Sequence, residues 1–249
     1  IDLYWVHVWD GITPAEELLE TMTALIRAGK IRYWGLSNTP AWYAAEIATM
    51  ARLRGRPMPV GLQEFYSLAE RGAEREHLPF ARSAGLGLVP WSPLAYGLLT
   101  GKYDRAAVEA GPRRRDGVPN EAAAAEAARP ADDKRLDGDN PFGDSLFTAR
   151  NWNIVEVLKR VAAEAGETPA RVALAWVIGR PGVASTLMGV SRADQVSDNA
   201  TALTLALSPE HLAALDAASD GGPMLSGLSR PPLRDRVVFG GAAVRGWGE

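Results

Sequence analysis

The stretch Ile1-Asp2-Leu3-Tyr4-Trp5-Val6-His7-Val8-Trp9-Asp10 opens the sequence and decides how the fold is interpreted. Seven of these ten residues are β-branched, aromatic or leucine, a composition that predicts a buried β-strand. His7 lies near the carboxyl end, where parallel α/β proteins build their sites. Because a buried parallel strand does not ordinarily begin a protein, we expect a preceding segment to be missing from the sequence.

The composition is that of an ordinary globular protein. The chain has 249 residues, 47% of them hydrophobic and 23% charged, with a net charge of −3. This balance gives no electrostatic reason to expect binding to nucleic acid or to an anionic membrane. The chain has no cysteine, and its histidines (His7, His77 and His211) are scattered, so neither thiolate chemistry nor a metal site is expected. We expect a cytoplasmic protein; the composition does not indicate its oligomeric state.

Strand and helix patterns alternate along the chain. Short apolar runs predict four more strands, at 31–37, 60–66, 86–91 and 183–188. Helices are predicted to start at Thr-Pro or Ser-Pro pairs, at 13–14, 39–40, 168–169 and 208–209, with Thr13 and Ser208 as caps. The alternation predicts an α/β fold with a parallel sheet, which fits either a doubly wound sheet or a (β/α)₈ barrel. No G-x-G-x-x-G follows a strand, so the signature of a Rossmann site is absent.

The stretch 104–150 differs from the rest of the chain. It contains a charged run at Arg113–Asp116, an alanine-rich segment at Ala122–Ala128 and several Gly and Pro residues. A structureless stretch of this length within a compact domain is typically a functional lid or disordered. We therefore expect one domain over residues 1–249, with 104–150 as a long lid-like loop inside it.

Polar side chains follow every predicted strand near its carboxyl end. They are His7, Ser37 with Asn38, Gln63, Trp91 with Ser92, and Ser191 with Arg192. Each has a structural explanation taken singly, since a lone histidine is more often a hydrogen-bonded core residue and Ser-Asn suits a turn. Taken together they predict one site, because in a barrel the carboxyl ends of the strands meet at one mouth.

The chemical types of these residues suit a single ligand. Ser, Asn and Gln side chains can bind a carboxamide, and the Trp91 indole can stack on a flat ring. The segment Tyr96–Lys102 offers glycines and an ammonium group to a pyrophosphate. Ser191, Arg192 and the helix that follows them can hold a phosphomonoester. The combination describes NADP(H).

Six segments resemble the motifs of the aldo-keto reductases, a (β/α)₈ barrel family that binds NADP(H) without a Rossmann fold. In family order they are IDLYWVH (1–7), GKIRYWGLSN (29–38), LQEFYSL (62–68), VPWSPLAYGLLTGKY (89–103), TPARVALAWVIGRPGV (168–183) and GVSRADQVSDN (189–199). The bacterial branch that also resembles potassium-channel β subunits is the most similar. The resemblance implies a partial TIM barrel that comprises strands 4–8 with their helices, and it places the long lid-like loop after strand 7.

The resemblance also implies roles for individual residues. Ser37, Asn38 and Gln63 would hold the nicotinamide carboxamide, with Trp91 stacked on the ring. The residues lining the pyrophosphate would be Ser92, Pro93, Leu94, Ala95, Tyr96 and Lys102. Those holding the 2′-phosphate, ribose and adenine would be Gly189, Val190, Ser191, Arg192, Gln195, Asp198 and Asn199.

His7 matches the histidine of the family's catalytic Asp-Tyr-Lys-His tetrad. The other three members belong to strands one to three, so the resemblance implies a chain cut at about the fourth strand, poorly stable and inactive alone. We expect the whole protein to reduce a small aldehyde or ketone with NADPH. One alternative is a weakly active or inactive NADP(H)-binding regulatory subunit similar to channel β subunits, and another is a natural truncation without activity.

Overall fold

The computed structural model describes residues 1–111, 134–136, 140, 142, 144–222 and 241–242. By its internal contacts the chain divides into a body, Ile1–Ser219, and a second unit, Asp220–Glu249. All the helices and strands given below belong to the body. In the second unit only residues 220–222 and 241–242 are described.

The body is an α/β structure with a four-stranded parallel sheet in the order of the chain. The strands are β1 (Leu3–Val6), β2 (Tyr33–Ser37), β3 (Gly61–Gln63) and β4 (Gly87–Leu88). The α-helices of the described residues are α1 (Ala15–Arg27), α2 (Ala41–Leu53), α3 (His77–Ala84), α4 (Arg105–Ala110), α5 (Ala149–Ala165), α6 (Pro169–Ile178), α7 (Ala193–Ala200) and α8 (Pro209–Ser219). Because the strand order never reverses, the sheet has the topology of a barrel segment rather than of a doubly wound sheet.

The two faces of the sheet are filled differently. On one face Trp34, Leu36, Leu62 and Leu88 are fully buried and belong to the main hydrophobic core. Burial of each of these side chains contributes about 1.5–3 kcal/mol. The indole N–H of Trp34 donates to the carbonyl oxygen of Pro57 at 3.1 Å, so its one polar atom is satisfied inside the core.

The other face carries a row of one tryptophan and three glycines. The strand register pairs Trp5 with Gly35 and Gly61 with Gly87, and Gly35 and Gly61 precede the paired residues Leu36 and Leu62. A β-carbon on Gly35 would lie 2.3 Å from Cζ3 of Trp5, and one on Gly61 would lie 3.2 Å from Cη2. The indole therefore lies across two neighbouring strands that have no side chains there. Two residues further along these strands, on the same face, come Ser37 and Gln63.

The prediction that the opening strand is buried is wrong. Leu3 and Tyr4 are each 39% exposed, because β1 has β2 as its one neighbour among the described strands. An edge strand packs on one side only, and its side chains keep part of their contact with solvent.

The prediction of a regular strand at 183–188 is also wrong. The segment runs beside β4, and Ala184 N donates to the carbonyl oxygen of Leu88 at 2.8 Å, but the pairing amounts to an isolated parallel bridge between Leu88 and Val183. Pro90 has no N–H with which to continue the ladder, and its carbonyl oxygen instead accepts from Leu187 N at 2.9 Å. The segment is extended beside the sheet without forming a ladder.

Of the two predicted helix caps, Ser208 is confirmed and Thr13 is wrong. Thr168 and Ser208 cap their helices, accepting from Arg171 N at 3.3 Å and from His211 N at 3.2 Å. Thr13 does not cap α1, because its hydroxyl and its N–H both donate to the carboxylate of Asp10. Pro40 is the N-cap residue of α2, while the hydroxyl of Thr39 donates to the carbonyl oxygen of Ser37 at 3.1 Å.

Part of the stretch 104–150 is structured. It includes the short helix α4 and the first residues of α5, and Leu136 is fully buried, with its N–H donating to the hydroxyl of Tyr103 at 2.9 Å. The ring of Phe142 lies 4.8 Å from that of Tyr96. Residues 112–133, 137–139, 141 and 143 of the predicted lid-like loop lie outside the described residues.

Candidate functional site

Asn38 connects polar residues at or just beyond the carboxyl ends of all four strands of the sheet. Its amide nitrogen donates to the carbonyl oxygen of His7 and to the hydroxyl of Ser37, both at 3.1 Å. Its amide oxygen accepts from the indole N–H of Trp91 at 2.9 Å. The hydroxyl of Ser37 in turn donates to Oε1 of Gln63 at 3.4 Å. The parallel strands thus bring these sequence-predicted residues into one hydrogen-bonded network.

Backbone strain is concentrated at the same site. Among the described residues, positive φ outside glycine occurs at Asn38 (49°), Ser92 (53°), Ala95 (47°) and Tyr96 (55°). All four belong to the predicted cofactor-binding set. Left-handed backbone is unfavourable for residues with a β-carbon and persists where the surroundings enforce it, commonly at functional sites.

A cavity of about 420 Å³ adjoins this network at Trp91. The predicted cofactor residues that line it are Trp91, Ser92, Pro93, Leu94, Tyr96, Lys102, Gly189, Ser191, Arg192, Gln195, Asp198 and Asn199. Its volume falls within the usual range of small-molecule sites. The predicted residues outside its lining are Ser37, Asn38, Gln63, Ala95 and Val190.

Aromatic rings fix the orientation of Trp91. Phe65 stacks on the indole with a centroid distance of 4.7 Å and an interplanar angle of 22°. Tyr96 meets it edge-on at 6.5 Å, and Phe142 contacts both Phe65 and Tyr96. The indole is held by these rings and by its hydrogen bond to Asn38, while part of it lines the cavity.

Gly97 allows Lys102 to approach the backbone closely. Its φ is +90°, and a β-carbon there would lie 2.9 Å from Cε and 3.0 Å from Nζ of Lys102. The ammonium group also lies 5.7 Å above the ring of Tyr103. Both Gly97 and Lys102 line the cavity, so an ammonium group and backbone without a side chain occur together there.

Gln195 organises the segment at the start of α7. Its Oε1 accepts from the N–H of Ser191 at 2.9 Å and from that of Arg192 at 3.3 Å. The guanidinium of Arg192 pairs with Asp194 at 3.2 Å, which holds the pKa of that carboxyl below its usual value, and the arginine side chain remains 61% exposed. Asp198, further along the helix, forms an ion pair with Arg171.

His7 lies one residue beyond β1 and is exposed. Its backbone oxygen belongs to the Asn38 network, so the structure fixes the main chain at this point. The amide N–H of Trp9 donates to the carbonyl oxygen of Asn38 at 3.4 Å, a further link between the segment after β1 and the end of β2.

Arg135 is a residue of the cavity that sequence reasoning missed. It lies in the stretch 104–150, and its Nη1 is 3.5 Å from the place that a β-carbon on Gly189 would occupy. Burial raises the pKa of the Tyr96 phenol, and the positive charge of Arg135 lowers it. No sequence signal distinguished Arg135, because the same stretch contains a run of arginines at Arg113–Arg115.

The part of the chain that the structure describes contains no helix that is both long and apolar enough to cross a membrane. It also contains no group of three or more histidine, aspartate or glutamate side chains arranged to hold a metal ion.

Comparisons with known proteins agree with the motifs. A sequence model of the aldo/keto reductase family matches residues 1–220. The Bacillus subtilis protein named uncharacterized oxidoreductase YrpG is 34% identical over 216 residues, which are 87% of this chain and 57% of that protein.

A relative named as a channel subunit and one named as a dehydrogenase also match. A probable voltage-gated potassium channel subunit beta of Oryza sativa subsp. japonica is 32% identical over 227 residues, covering 90% of this chain and 63% of that protein. A putative aryl-alcohol dehydrogenase, AAD10, of Saccharomyces cerevisiae is 28% identical over 217 residues, covering 87% of this chain and 67% of that protein. The chain thus spans from 57% to 67% of the length of these three relatives.

Proposed function

Because this chain belongs to the aldo/keto reductase family, we propose that it supplies strands four to eight of a (β/α)₈ barrel that reduces an aldehyde or ketone with NADPH. The observation that carries the proposal is a single cavity that joins Trp91, at the strand ends, to Ser191 and Arg192, before α7. An extended dinucleotide needs recognition at both of its ends. The cavity offers Trp91 for one end and Ser191 with Arg192 for the other, and the Asn38 network adjoins it at Trp91. The reaction belongs to the whole protein, including the strands that carry the rest of the tetrad.

The residues at the strand ends fit the nicotinamide end of the cofactor. A carboxamide presents a donor and an acceptor, and the Asn38 network contains amide and hydroxyl groups of both kinds. Trp91 offers a ring for stacking that Phe65 and Tyr96 already hold in place. These residues would orient the bound cofactor and exclude water from one side of its ring.

The opposite end of the cavity fits the phosphates. Lys102 and Arg135 are cations that lie close to Gly97 and Gly189, where the absence of a side chain leaves room. The start of α7, with Arg192 beside it, suits a phosphomonoester because helix N-termini and guanidinium groups favour anions. This donor set matches a pyrophosphate and a 2′-phosphate, and therefore NADP(H).

His7 would act on the substrate. Bound NADPH supplies the hydride that the carbonyl carbon accepts. The imidazole of His7 would donate a hydrogen bond to the carbonyl oxygen, orient it and assist its protonation by the tetrad tyrosine. Trp9, two residues after His7, forms a cluster with the rings of Trp42 and Tyr43, with centroids 5.5–5.9 Å apart, and these rings would contact the apolar part of a small carbonyl substrate.

The affinities for NADPH and NADH test the proposal. We expect the full-length protein to bind NADPH more tightly than NADH, measured by titration calorimetry, and we expect Arg192→Ala to remove most of the difference. Arg160→Ala is the matched control, because Arg160 is also 61% exposed and also pairs with an acidic residue on its own helix. Equal affinities of the unaltered protein for NADPH and NADH would contradict the assignment.

A regulatory subunit is the second candidate. It is favoured by the relatives from rice, Arabidopsis thaliana and Schizosaccharomyces pombe that are named as channel β subunits, each 32% identical to this chain. A full-length protein that binds NADPH tightly but shows no turnover with a panel of aliphatic and aromatic aldehydes would favour this function. Turnover that His7→Ala abolishes would favour the reductase.

A further inference from the structure

The backbone of Thr39 is held by two side chains that have no role in the proposed reaction. The N–H of Thr39 donates to Oε1 of Glu64 at 3.2 Å. On the other side of the residue, Nε2 of His77 lies 2.9 Å from the carbonyl oxygen of Thr39. Since a carbonyl only accepts, the imidazole donates from Nε2. Glu64 and His77 thus clamp the residue that directly follows Asn38.

The carboxyl of Glu64 is buried, which disfavours its ionised form. Glu64 is only 9% exposed, and burial raises the pKa of its carboxyl, an effect that His77 and the N–H of Thr39 partly offset. The distance from Nε2 of His77 to Oε1 of Glu64 is 3.8 Å. An apolar side chain here would avoid the cost of burying a carboxyl. The contribution of Glu64 therefore lies in the bonds that it makes to the turn.

This turn needs external support. Asn38 has a φ of 49°, a conformation that a residue with a β-carbon keeps only when its surroundings hold it. The turn is also joined to the neighbouring strand, because Asn38 N donates to the carbonyl oxygen of Gln63 at 3.0 Å. On the next segment, Trp91 N donates to the carbonyl oxygen of Glu64 at 3.0 Å. Glu64 therefore touches both segments whose side chains are proposed to meet the nicotinamide.

We propose that Glu64 and His77 are positioning residues for the nicotinamide end of the cofactor. They hold the Asn38–Thr39 turn, and through it the Asn38 amide and its hydrogen bond to the Trp91 indole. Neither side chain lines the cavity, so their effect on binding is transmitted through the turn. The inference rests on the proposed binding of NADP(H) in this cavity.

Titration calorimetry of the full-length protein with two probes tests this inference. NADPH contains the nicotinamide, and adenosine 2′,5′-bisphosphate contains only the phosphate and adenine part. Glu64→Leu removes the acceptor and leaves the Thr39 N–H without it, so we expect about a tenfold weaker affinity for NADPH. We expect the affinity for adenosine 2′,5′-bisphosphate to stay within about twofold. Glu64→Gln keeps an acceptor oxygen and should restore most of the NADPH affinity.

The outcomes separate this inference from the proposed function. If the unaltered protein binds both probes and Glu64→Leu binds NADPH equally well, the inference is wrong and the proposed function stands. An equal loss for both probes would show a general structural effect and would also overturn it. If Glu64→Leu does not fold, His77→Phe replaces it, since this variant removes the donor to the Thr39 carbonyl and the imidazole beside Glu64 and should show the same selective loss. If the unaltered full-length protein binds neither probe, the proposed function itself fails.

Discussion

Substitution of Gly97 by alanine should weaken cofactor binding far more than it destabilises the fold. The β-carbon would lie 2.9 Å from Cε of Lys102, so the lysine side chain must move. The positive φ of +90° adds backbone strain of about 1 kcal/mol for a residue with a β-carbon. If the displaced ammonium loses a charge-assisted hydrogen bond to the pyrophosphate, the free energy of binding weakens by ~1.5–3 kcal/mol, which lowers the affinity about 10- to 150-fold.

Gly101 provides a matched control within the same loop. Its φ is +76°, so Gly101→Ala carries similar strain, but its β-carbon would meet the flexible chain of Lys159, with Cε at 3.2 Å. Thermal denaturation should show similar losses of stability for Gly97→Ala and Gly101→Ala. Calorimetric titration with NADPH should show a loss of affinity in Gly97→Ala alone. Equal affinities in the two variants would refute the reasoning that Lys102 is placed by the absence of a side chain at Gly97.

Three other predictions follow from single contacts. Gly35→Ala should lower the free energy of unfolding, measured by chemical denaturation, by about 3 kcal/mol, because its β-carbon would lie 2.3 Å from the Trp5 ring. Gly29→Ala is the control: its β-carbon meets nothing within 4 Å, so it should lower the free energy of unfolding by about 1 kcal/mol. The hydrogen bonds from Thr13 and Ile12 lower the pKa of Asp10 to about 2. The contribution of Asp10 to stability is therefore present above the ordinary pKa of an aspartate and is lost as the pH falls through about 2. Thr13→Val should raise the midpoint of the NMR titration of Asp10, and an unchanged midpoint would contradict this cause. In the full-length protein, His7→Ala should lower kcat for carbonyl reduction with NADPH affinity nearly unchanged, and a large loss of cofactor binding would instead make His7 structural.

The sequence predicted the parts of the site that follow from strand direction. Because all the strands are parallel and in chain order, the residues after β1, β2 and β3 had to meet at one edge, and the Asn38 network is found there. Sequence periodicity carries no information about which polar atoms pair within such a network. The bond from Trp91 to Asn38 depends on the left-handed backbone of Asn38, which no pattern of residue types specified.

Other features depended on contacts between distant segments. Arg135 reaches the cavity because Leu136 beside it is buried and donates its N–H to the Tyr103 hydroxyl, a hydrogen bond between residues 33 apart in a stretch with little apolar pattern. The irregular pairing of 183–188 had a local cause in the missing N–H of Pro90, which could have been recognised from the sequence. The exposure of β1 could not have been recognised from the sequence of the strand, because its apolar composition indicates burial.

Because Trp5 packs over Gly35 and Gly61 in the row of glycines, the order in which substitutions are made at these positions decides whether the fold tolerates them. A larger residue at Gly35 is incompatible with the indole, but the same residue would fill the space that remains once Trp5 has become small. A cavity-forming change at Trp5 followed by growth at Gly35 or Gly61 therefore keeps the layer filled, whereas the reverse order passes through an overpacked intermediate. Substitution of this layer, in evolution or in protein engineering, therefore has to begin at Trp5.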